Sequence, residues 1–284
     1  MLTLFSRAPW APMALFVLLW GSAAIFIRIG LDHSSPLALL VMRFALALLA
    51  LLLLIRTAGG GWPAKASLKR IALAGLLMIG LYSICYFQAM FHGVTPGLLA
   101  TVLGVQPILT LLFTERRFSA LRLSGLLLAL LGLTLVVWQS LTQAELSWWG
   151  MGYALAALVC ITSGAIVQKG VQQTPLKTLP LQYVVTLLVL ALWAPTQPFD
   201  WQMEWGFWVP LLWMGLVISV GAQLLFYQLI HTGNLVNVTS LFYLVPVVTV
   251  VLDFLVLDNH MPLLALLGMM AILAGLALVM RQSG

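Results

Sequence analysis

Long apolar stretches alternate with short polar segments along the whole chain. A helix needs about 20 mostly apolar residues to cross a membrane, and ten stretches approach that length. The predicted spans are residues 10–28, 36–55, 69–91, 95–113, 120–139, 147–168, 176–195, 206–230, 235–256 and 262–280. Apolar and polar residues do not alternate with a period of two, so β-barrel strands are not expected. The pattern predicts an all-α polytopic membrane protein with ten transmembrane helices and short loops.

The composition supports a membrane protein. Hydrophobic residues make up 63% of the 284 residues, charged residues only 7%, and the mean hydropathy is +1.10. Soluble domains carry roughly 25% charged residues, so this chain could not cover the surface of a water-soluble globule. A disordered chain and a secreted disulfide scaffold are excluded as well.

The positions of the charges explain the net charge of +6. If the N-terminus is cytoplasmic, eleven of the thirteen basic residues fall on the cytoplasmic side: Arg7, Arg56, Lys65, Lys69, Arg70, Arg116, Arg117, Arg122, Lys169, Lys177 and Arg281. Basic residues in short loops are retained on the cytoplasmic face. We therefore expect both termini in the cytoplasm of a bacterium, the chain in the inner membrane, and no nucleic-acid partner.

The two halves of the chain repeat each other. Nine pairs of positions match in order, the first six at an offset of 139 residues and the last three at 143: Pro36/Pro175, Arg43/Gln182, Phe44/Tyr183, Phe87/Phe226, His92/His231, Pro107/Pro246, Glu115/Asp258, Gly125/Gly268 and Gly132/Gly275. The predicted repeats are residues 1–142 and 143–284, with five spans each. An odd number of spans inverts the second repeat, an arrangement that in transporters places the substrate site near the midplane.

Several of these residues resemble a known family. The run from Trp20 to Ser22, the Pro36 to Phe44 entry of the second span, and Pro107 followed by Glu115, Gly125 and Gly132 are similar to the EamA repeat of the drug/metabolite transporter superfamily. Pro246, Asp258, Gly268 and Gly275 resemble its second copy. The resemblance covers essentially the whole chain and implies a ten-helix exporter of amino acids or other metabolites.

The first copy departs from the second in one spacing. Pro107 and Glu115 are 8 residues apart, whereas Pro246 and Asp258 are 12 apart. Either the fourth span ends early or its helix continues past Glu115.

Arg43 is the main candidate for substrate contact. It lies about two turns into the second predicted span, where a charged side chain is costly and is a functional candidate by default. Its forked guanidinium could bind a carboxylate or phosphate. The alternative is a structural role, either in an ion pair or with the charged end directed to the membrane interface.

Polar and aromatic residues in several spans are expected to line a cavity. The candidate substrate-binding residues, in addition to Arg43, are Trp20, Ser22, Tyr82, Tyr86, Gln106, Ser163, Gln223, Tyr227 and Tyr243. Such a lining suits a neutral or zwitterionic ligand with an apolar part. The alternative for each residue is hydrogen bonding between helices. Pro107 and Pro246 are predicted hinges, because each removes a backbone hydrogen bond.

The sequence contains no phosphate loop, no zinc-protease helix and no Cys/His cluster with metal-ligand spacing, so we expect no catalytic residue, metal or cofactor. The predicted function is a secondary transporter that exports small metabolites by alternating access, with amino acids, including aromatic or apolar ones, as the expected cargo. The alternatives are a carrier of phosphorylated or nucleotide-linked metabolites and an intramembrane lipid-modifying enzyme. Proton coupling and the choice between monomer and dimer stay open.

Overall fold

The computed structural model describes residues 11–58, 63–115, 118–142, 147–257 and 262–281. Within these ranges the regular structure is helical, apart from one isolated antiparallel bridge between Ser34 and Trp201. Arg7, Arg116, Arg117 and Asp258 lie outside the described residues, as do the side chains of Arg28 and Asp253. The prediction of an all-α polytopic membrane protein is confirmed.

The described residues form fifteen α-helices. They are α1 Ala11–Leu31, α2 Pro36–Ala58, α3 Leu68–Gly75, α4 Tyr82–Phe91, α5 Pro96–Leu103, α6 Gln106–Thr114, α7 Ala120–Val136, α8 Trp138–Thr142, α9 Trp148–Lys169, α10 Pro175–Trp193, α11 Trp205–Leu212, α12 Gln223–Thr232, α13 Leu235–Ser240, α14 Leu244–Leu257 and α15 Leu263–Arg281. Short 3₁₀ turns cover Lys65–Ser67, Ala194–Thr196 and Leu241–Tyr243.

Eight helical segments of the described chain are long and apolar enough to cross a membrane. They correspond to all the predicted spans except the fifth and the ninth. Those two positions carry shorter apolar helices, Ala120–Val136 and Leu235–Val248. The count of ten spans therefore stays a prediction.

Two segments are wound as π-helix, which the sequence did not predict. Leu76–Leu81 connects α3 to α4, and Trp213–Ala222 connects α11 to α12. They lie in the third and eighth predicted spans, which are partners in the predicted repeat. A π-helical segment changes the helix face that meets its neighbours and is frequent at functional sites.

The fourth and ninth predicted spans are interrupted near their prolines. α5 ends at Leu103 and α6 begins at Gln106, so Pro107 occupies the first turn of α6. A 3₁₀ turn separates α13 from α14, and Pro246 is the third residue of α14. The first turn of a helix tolerates proline because its N–H groups have no partner within the helix. α6 ends at Thr114 with Glu115 as its extended C-cap, so the fourth span ends early.

The chain divides into two compact units. The first unit contains Met1–Ile84 and Ser163–Thr232, and the second contains Cys85–Thr162 and Gly233–Gly284. Each unit takes residues from both predicted repeats, so this division leaves the repeat boundary at 142/143 a prediction.

Close helix packing in the first unit uses glycines of the third and eighth spans. α2 packs against α10 and the Trp213–Ala222 segment, and α10 also packs against α3 and the Leu76–Leu81 segment. A Cβ on Gly75 would lie 2.7 Å from the Gln182 Cα, and one on Gly215 would lie 3.3 Å from the Arg43 carbonyl oxygen. Small residues let helices approach closely in this way.

In the second unit, α7 packs along α15, and the four glycines of the predicted repeat lie at this contact. A Cβ on Gly132 would lie 2.6 Å from the Gly268 carbonyl oxygen, and one on Gly125 would lie 2.8 Å from that of Gly275. The seven-residue spacing of these glycines therefore gives each helix a smooth face for close packing.

Candidate functional site

Arg43 lies in the interior of α2 in the first unit. It is the eighth residue of the helix, which places its Cα about 10 Å along the axis from Pro36. Its Nε is buried and makes no hydrogen bond, although the side chain as a whole keeps some exposure. Among the residues that the structure describes, no carboxylate forms a salt bridge with Arg43.

Aromatic side chains surround this guanidinium. The Arg43 Cζ lies 4.5 Å from the centroid of the Phe44 ring, and Tyr82 and Tyr183 are its electrostatic neighbours. The Tyr183 hydroxyl donates a hydrogen bond to the Ser219 carbonyl of the π-helical segment, and its ring packs 5.3 Å from that of Phe44. The environment is polar at the hydroxyls and otherwise apolar, so a nearby anion would meet little competition from water.

The residue that corresponds to Arg43 in the predicted second repeat is a buried amide. Gln182 Nε2 donates to Gln168 Oε1 at 2.7 Å, while Gln182 Oε1 has no partner. Thr186, one turn further along α10, and Ser219 also bury hydroxyl oxygens without partners. Buried polar atoms are normally paired, and exceptions require an explanation such as a ligand or ordered water. Thr186 and Ser219 are not among the predicted site residues, although Gln182 and Thr186 have the i, i+4 spacing of one helix face.

An aromatic cluster in the first unit includes the predicted residue Trp20. Its ring centroid lies 5.1 Å from that of Phe16 and 5.5 Å from that of Phe226. Ser22, half a turn further along α1, donates to the Leu19 carbonyl at 2.6 Å and accepts from Trp213 Nε1 at 3.1 Å. Ser22 therefore makes helix contacts, whereas the half-buried Trp20 ring offers an apolar surface.

The other predicted residues of the first unit are Tyr82, Ser163, Gln223 and Tyr227. Tyr82, Ser163 and Gln223 are half-buried, while Tyr227 is fully buried. The buried Tyr227 hydroxyl makes no hydrogen bond, and Gln223 and Tyr183 are its electrostatic neighbours. Tyr183 is thus a neighbour of both Arg43 and Tyr227.

The remaining predicted residues belong to the second unit. Tyr86 is half-buried and Gln106 is buried. The Tyr243 hydroxyl donates to the Gly104 carbonyl at 2.6 Å. These two residues are 139 positions apart, the main offset of the predicted repeat, and they join the interruptions of the fourth and ninth spans. Tyr243 is therefore engaged in a contact between helices.

A polar network in the second unit was missed by the sequence analysis. It consists of Glu115, Arg122, Asn234 and Asn237, and we call it the Arg122 network. Arg122 Nη1 donates to both carboxylate oxygens of Glu115, at 2.6 and 2.7 Å, and Nη2 donates to the amide oxygens of Asn234 and Asn237, at 2.9 and 2.8 Å. Arg122 is only 5% exposed. The sequence analysis counted it only as a charge on the cytoplasmic side.

Apolar helices long enough to span a membrane, together with a set of buried polar side chains, define a polytopic membrane protein. The model of the EamA-like transporter family matches residues 10–138 and again residues 148–281. These matches cover most of the chain, and the protein belongs to this family. It is a multi-pass membrane transporter and not an enzyme, as the sequence predicted.

The chain is also similar to individual proteins. A probable terminal-alkyne amino-acid exporter of Streptantibioticus cattleyicolor is 26% identical over 98% of this chain and 95% of its own length. A probable amino-acid metabolite efflux pump of Escherichia coli K12 is 25% identical over 87% and 76%. The uncharacterized inner membrane transporter YedA of the same strain is 29% identical over 53% and 43%.

A solved crystal structure has the same fold. It matches with a TM-score of 0.80 and 17% identity, over 96% of both chains. At this identity the match concerns the arrangement of the helices and not the substrate.

Proposed function

We propose that the protein exports small amino acid-like metabolites across the bacterial inner membrane by alternating access. The observation that carries this proposal is Arg43, a cation inside α2 that forms no salt bridge with a described carboxylate and whose buried Nε has no partner. The names of the full-length relatives, an amino-acid exporter and an amino-acid metabolite efflux pump, support the same substrate class.

Arg43 is suited to bind the carboxylate of the solute. A buried charge without a counter-ion is unfavourable, and a bound carboxylate would supply the missing charge through a bidentate contact. The Phe44 and Tyr183 side chains next to the guanidinium are fixed in position, because their rings pack against each other and the Tyr183 hydroxyl donates a hydrogen bond to the Ser219 carbonyl.

The apolar part of the solute would contact the aromatic cluster around Trp20. Phe16, Trp20 and Phe226 form a packed aromatic group in the same unit as Arg43, in which Phe16 and Phe226 are stacked and Trp20 is tilted against both. Aromatic rings provide large apolar contact areas, so the proposed cargo is an amino acid with an aromatic or apolar side chain. Arg43 is the single cation among the candidate binding residues, and this disfavours phosphorylated or nucleotide-linked solutes.

The proposal includes the number of spans, the two repeats and the orientation of the chain in the membrane. Ten spans in two inverted repeats, residues 1–142 and 143–284, with both termini in the cytoplasm, would place the spans with π-helical segments and the interrupted spans in equivalent positions. The double match of the family model supports two repeats. The hydrogen bond between Tyr243 and Gly104, at equivalent positions, supports a two-fold relation between the fourth and ninth spans.

The test is transport by the purified protein in proteoliposomes. Labelled phenylalanine and leucine should cross faster than in protein-free liposomes, and phenethylamine, which lacks the carboxylate, should not. A sugar phosphate tests the alternative cargo, and each solute is measured with and without a proton gradient. If none of these solutes crosses faster than in empty liposomes, the proposal is wrong.

A further inference from the structure

The Arg122 network connects three helix ends in the second unit. Glu115 is the C-cap of α6, Arg122 lies in the first turn of α7, and Asn234 is the N-cap of α13. The Asn234 amide oxygen accepts from the Val236 and Asn237 backbone N–H groups, and its Nδ2 donates to Glu115 at 3.1 Å. The end of the fourth span is thereby tied to the start of the ninth.

The network is almost completely satisfied and mostly buried. Arg122 makes four side-chain hydrogen bonds, and only its buried Nε has no partner. The Glu115 side chain is 19% exposed, so water reaches one edge of the pair. A buried ion pair adds little stability compared with apolar residues of similar size, and its best-attested use is to specify one arrangement over another.

The two helices that the network connects are interrupted at their centres. α5 stops before α6, and the Leu241–Tyr243 turn separates α13 from α14. The hydrogen bond from Tyr243 to Gly104 joins the two interruptions. Interruptions of this kind act as hinges in domain closure. The fourth and ninth spans are therefore joined twice. The hydrogen bond from Tyr243 to Gly104 joins their interruptions, and the Arg122 network joins them at one end.

The residues of the Arg122 network are only partly matched at the equivalent positions of the predicted repeat. At the same offsets, Arg122 corresponds to Ala265 and Asn237 to Leu98, while Asn234 corresponds to Thr95, which caps α5 as Asn234 caps α13. The helix cap is thus kept in both halves, but the cation and the second amide are present in only one half. Asp258, the partner of Glu115, lies outside the described residues.

We propose that the Arg122 network is the cytoplasmic gate of the transporter. When it is formed, it holds the cytoplasmic ends of the fourth and ninth spans together. When the bonds from Arg122 to Glu115 and to the two amides separate, solute enters from the cytoplasm. At the equivalent sequence positions the cation and the second amide are replaced by Ala265 and Leu98, so this particular network is specific to the cytoplasmic side. The inference rests on the proposed transport function and orientation, but it concerns different residues from the Arg43 site.

The test uses a cysteine reporter behind the network and needs no substrate. Thr110 is fully buried on α6, one turn before Glu115. In a chain with Cys85→Ala and Cys160→Ala, the Thr110→Cys reporter is treated with a membrane-impermeant maleimide in inside-out and in right-side-out vesicles. With the network intact, labelling should be slow. In the Glu115→Gln and Arg122→Gln variants, labelling in inside-out vesicles should be at least tenfold faster.

Two further variants distinguish a gate from a general loosening of the fold. Glu115→Arg combined with Arg122→Glu restores a pair of opposite charges and should bring the labelling rate back toward the starting value. Asn237→Ala removes one hydrogen bond and should raise the labelling rate about threefold. If the charge variants do not fold, the labelling rate of Asn237→Ala tests the proposed gate. The proposal is overturned if labelling stays slow in every variant, or if it increases equally in both vesicle orientations. Failure of amino acid transport would leave this result unaffected.

Discussion

The two compact units treat a buried arginine in opposite ways. In the first unit, Arg43 forms no salt bridge with a described carboxylate, and buried oxygens of Gln182, Thr186 and Ser219 have no partners. In the second unit, Arg122 donates to a carboxylate and two amides. The Nε of each arginine is buried without a partner, so the difference lies in the terminal nitrogens. A buried charge costs stability unless it is paired. We therefore interpret the first arrangement as a binding site for a solute and the second as a contact within the protein.

The two arginines should consequently respond differently to mutation. Replacing Arg43 removes an unfavourable buried charge and should affect transport, whereas replacing Arg122 leaves a carboxylate and two amides without their donor and should affect stability as well. The following predictions use this difference, from the largest expected effect to the smallest.

Replacing Arg43 with its repeat partner, in the Arg43→Gln variant, should nearly abolish transport. A lost hydrogen bond to a charged group costs about 2–3 kcal/mol, or roughly a 30- to 150-fold weaker apparent affinity. The measurement is concentration-dependent uptake in proteoliposomes. Arg43→Lys keeps the charge and should lose less. The midpoint of thermal unfolding should not decrease in Arg43→Gln, and a clear decrease would mean that Arg43 has a structural role.

The Arg122→Gln variant should lower the free energy of unfolding by about 2–3 kcal/mol. Removing one partner of a fully buried pair costs about 3–5 kcal/mol, and the partial exposure of Glu115 reduces the effect. Denaturant unfolding in detergent measures it. The double variant Glu115→Gln with Arg122→Gln should lose less than the sum of the single variants. Simple additivity would show that the two residues do not interact.

The packing of the second unit gives a third test. Gly132→Ala places a Cβ 2.6 Å from the Gly268 carbonyl oxygen and should cost about 1–3 kcal/mol of stability. Gly152→Ala is the matched control, since no atom lies within 4 Å of its added Cβ. It should stabilise α9 by about 0.5–1 kcal/mol. Equal effects of the two substitutions would show that the α7–α15 contact is not close.

The smallest effect is expected for Tyr243→Phe. It removes the hydrogen bond to the Gly104 carbonyl while keeping the ring, and should cost about 1 kcal/mol. Thermal unfolding measures it. Solute affinity should change less than in Arg43→Gln, since the Tyr243 hydroxyl is used within the protein. If the affinity for solute decreases more than the stability does, Tyr243 contacts the solute, as the sequence predicted.

Much of the fold could be predicted because it depends on local sequence. Runs of apolar residues identify membrane helices from length alone, and the prolines at 107 and 246 indicate the interruptions of the fourth and ninth spans. The glycine pairs of α7 and α15 indicate close packing through their spacing. The π-helical segments Leu76–Leu81 and Trp213–Ala222 carry no such local signal, because the winding of a helix depends on what packs against it.

The candidate site was predictable only in part. Arg43 stands out in the sequence because a charge in a span is rare. Its neighbours Tyr183 and Ser219 do not stand out, since they become relevant only where α10 meets the eighth span. Tyr227, Gln106 and Tyr243 were predicted as lining residues from their polarity, and the structure places all three in buried positions. Polarity indicates that a side chain needs a partner, but it does not identify that partner.

The sequence by itself determined that this chain is a polytopic helical membrane protein and that it resembles a transporter family, because length, apolarity and spacing are properties of the chain alone. The tertiary structure decided which polar residues satisfy one another. Arg122 and Asn234 are 112 positions apart, and only folding brings them into contact. Arg43 and Arg122 are both arginines next to apolar sequence. The same folding nevertheless leaves Arg43 without a carboxylate among the described residues.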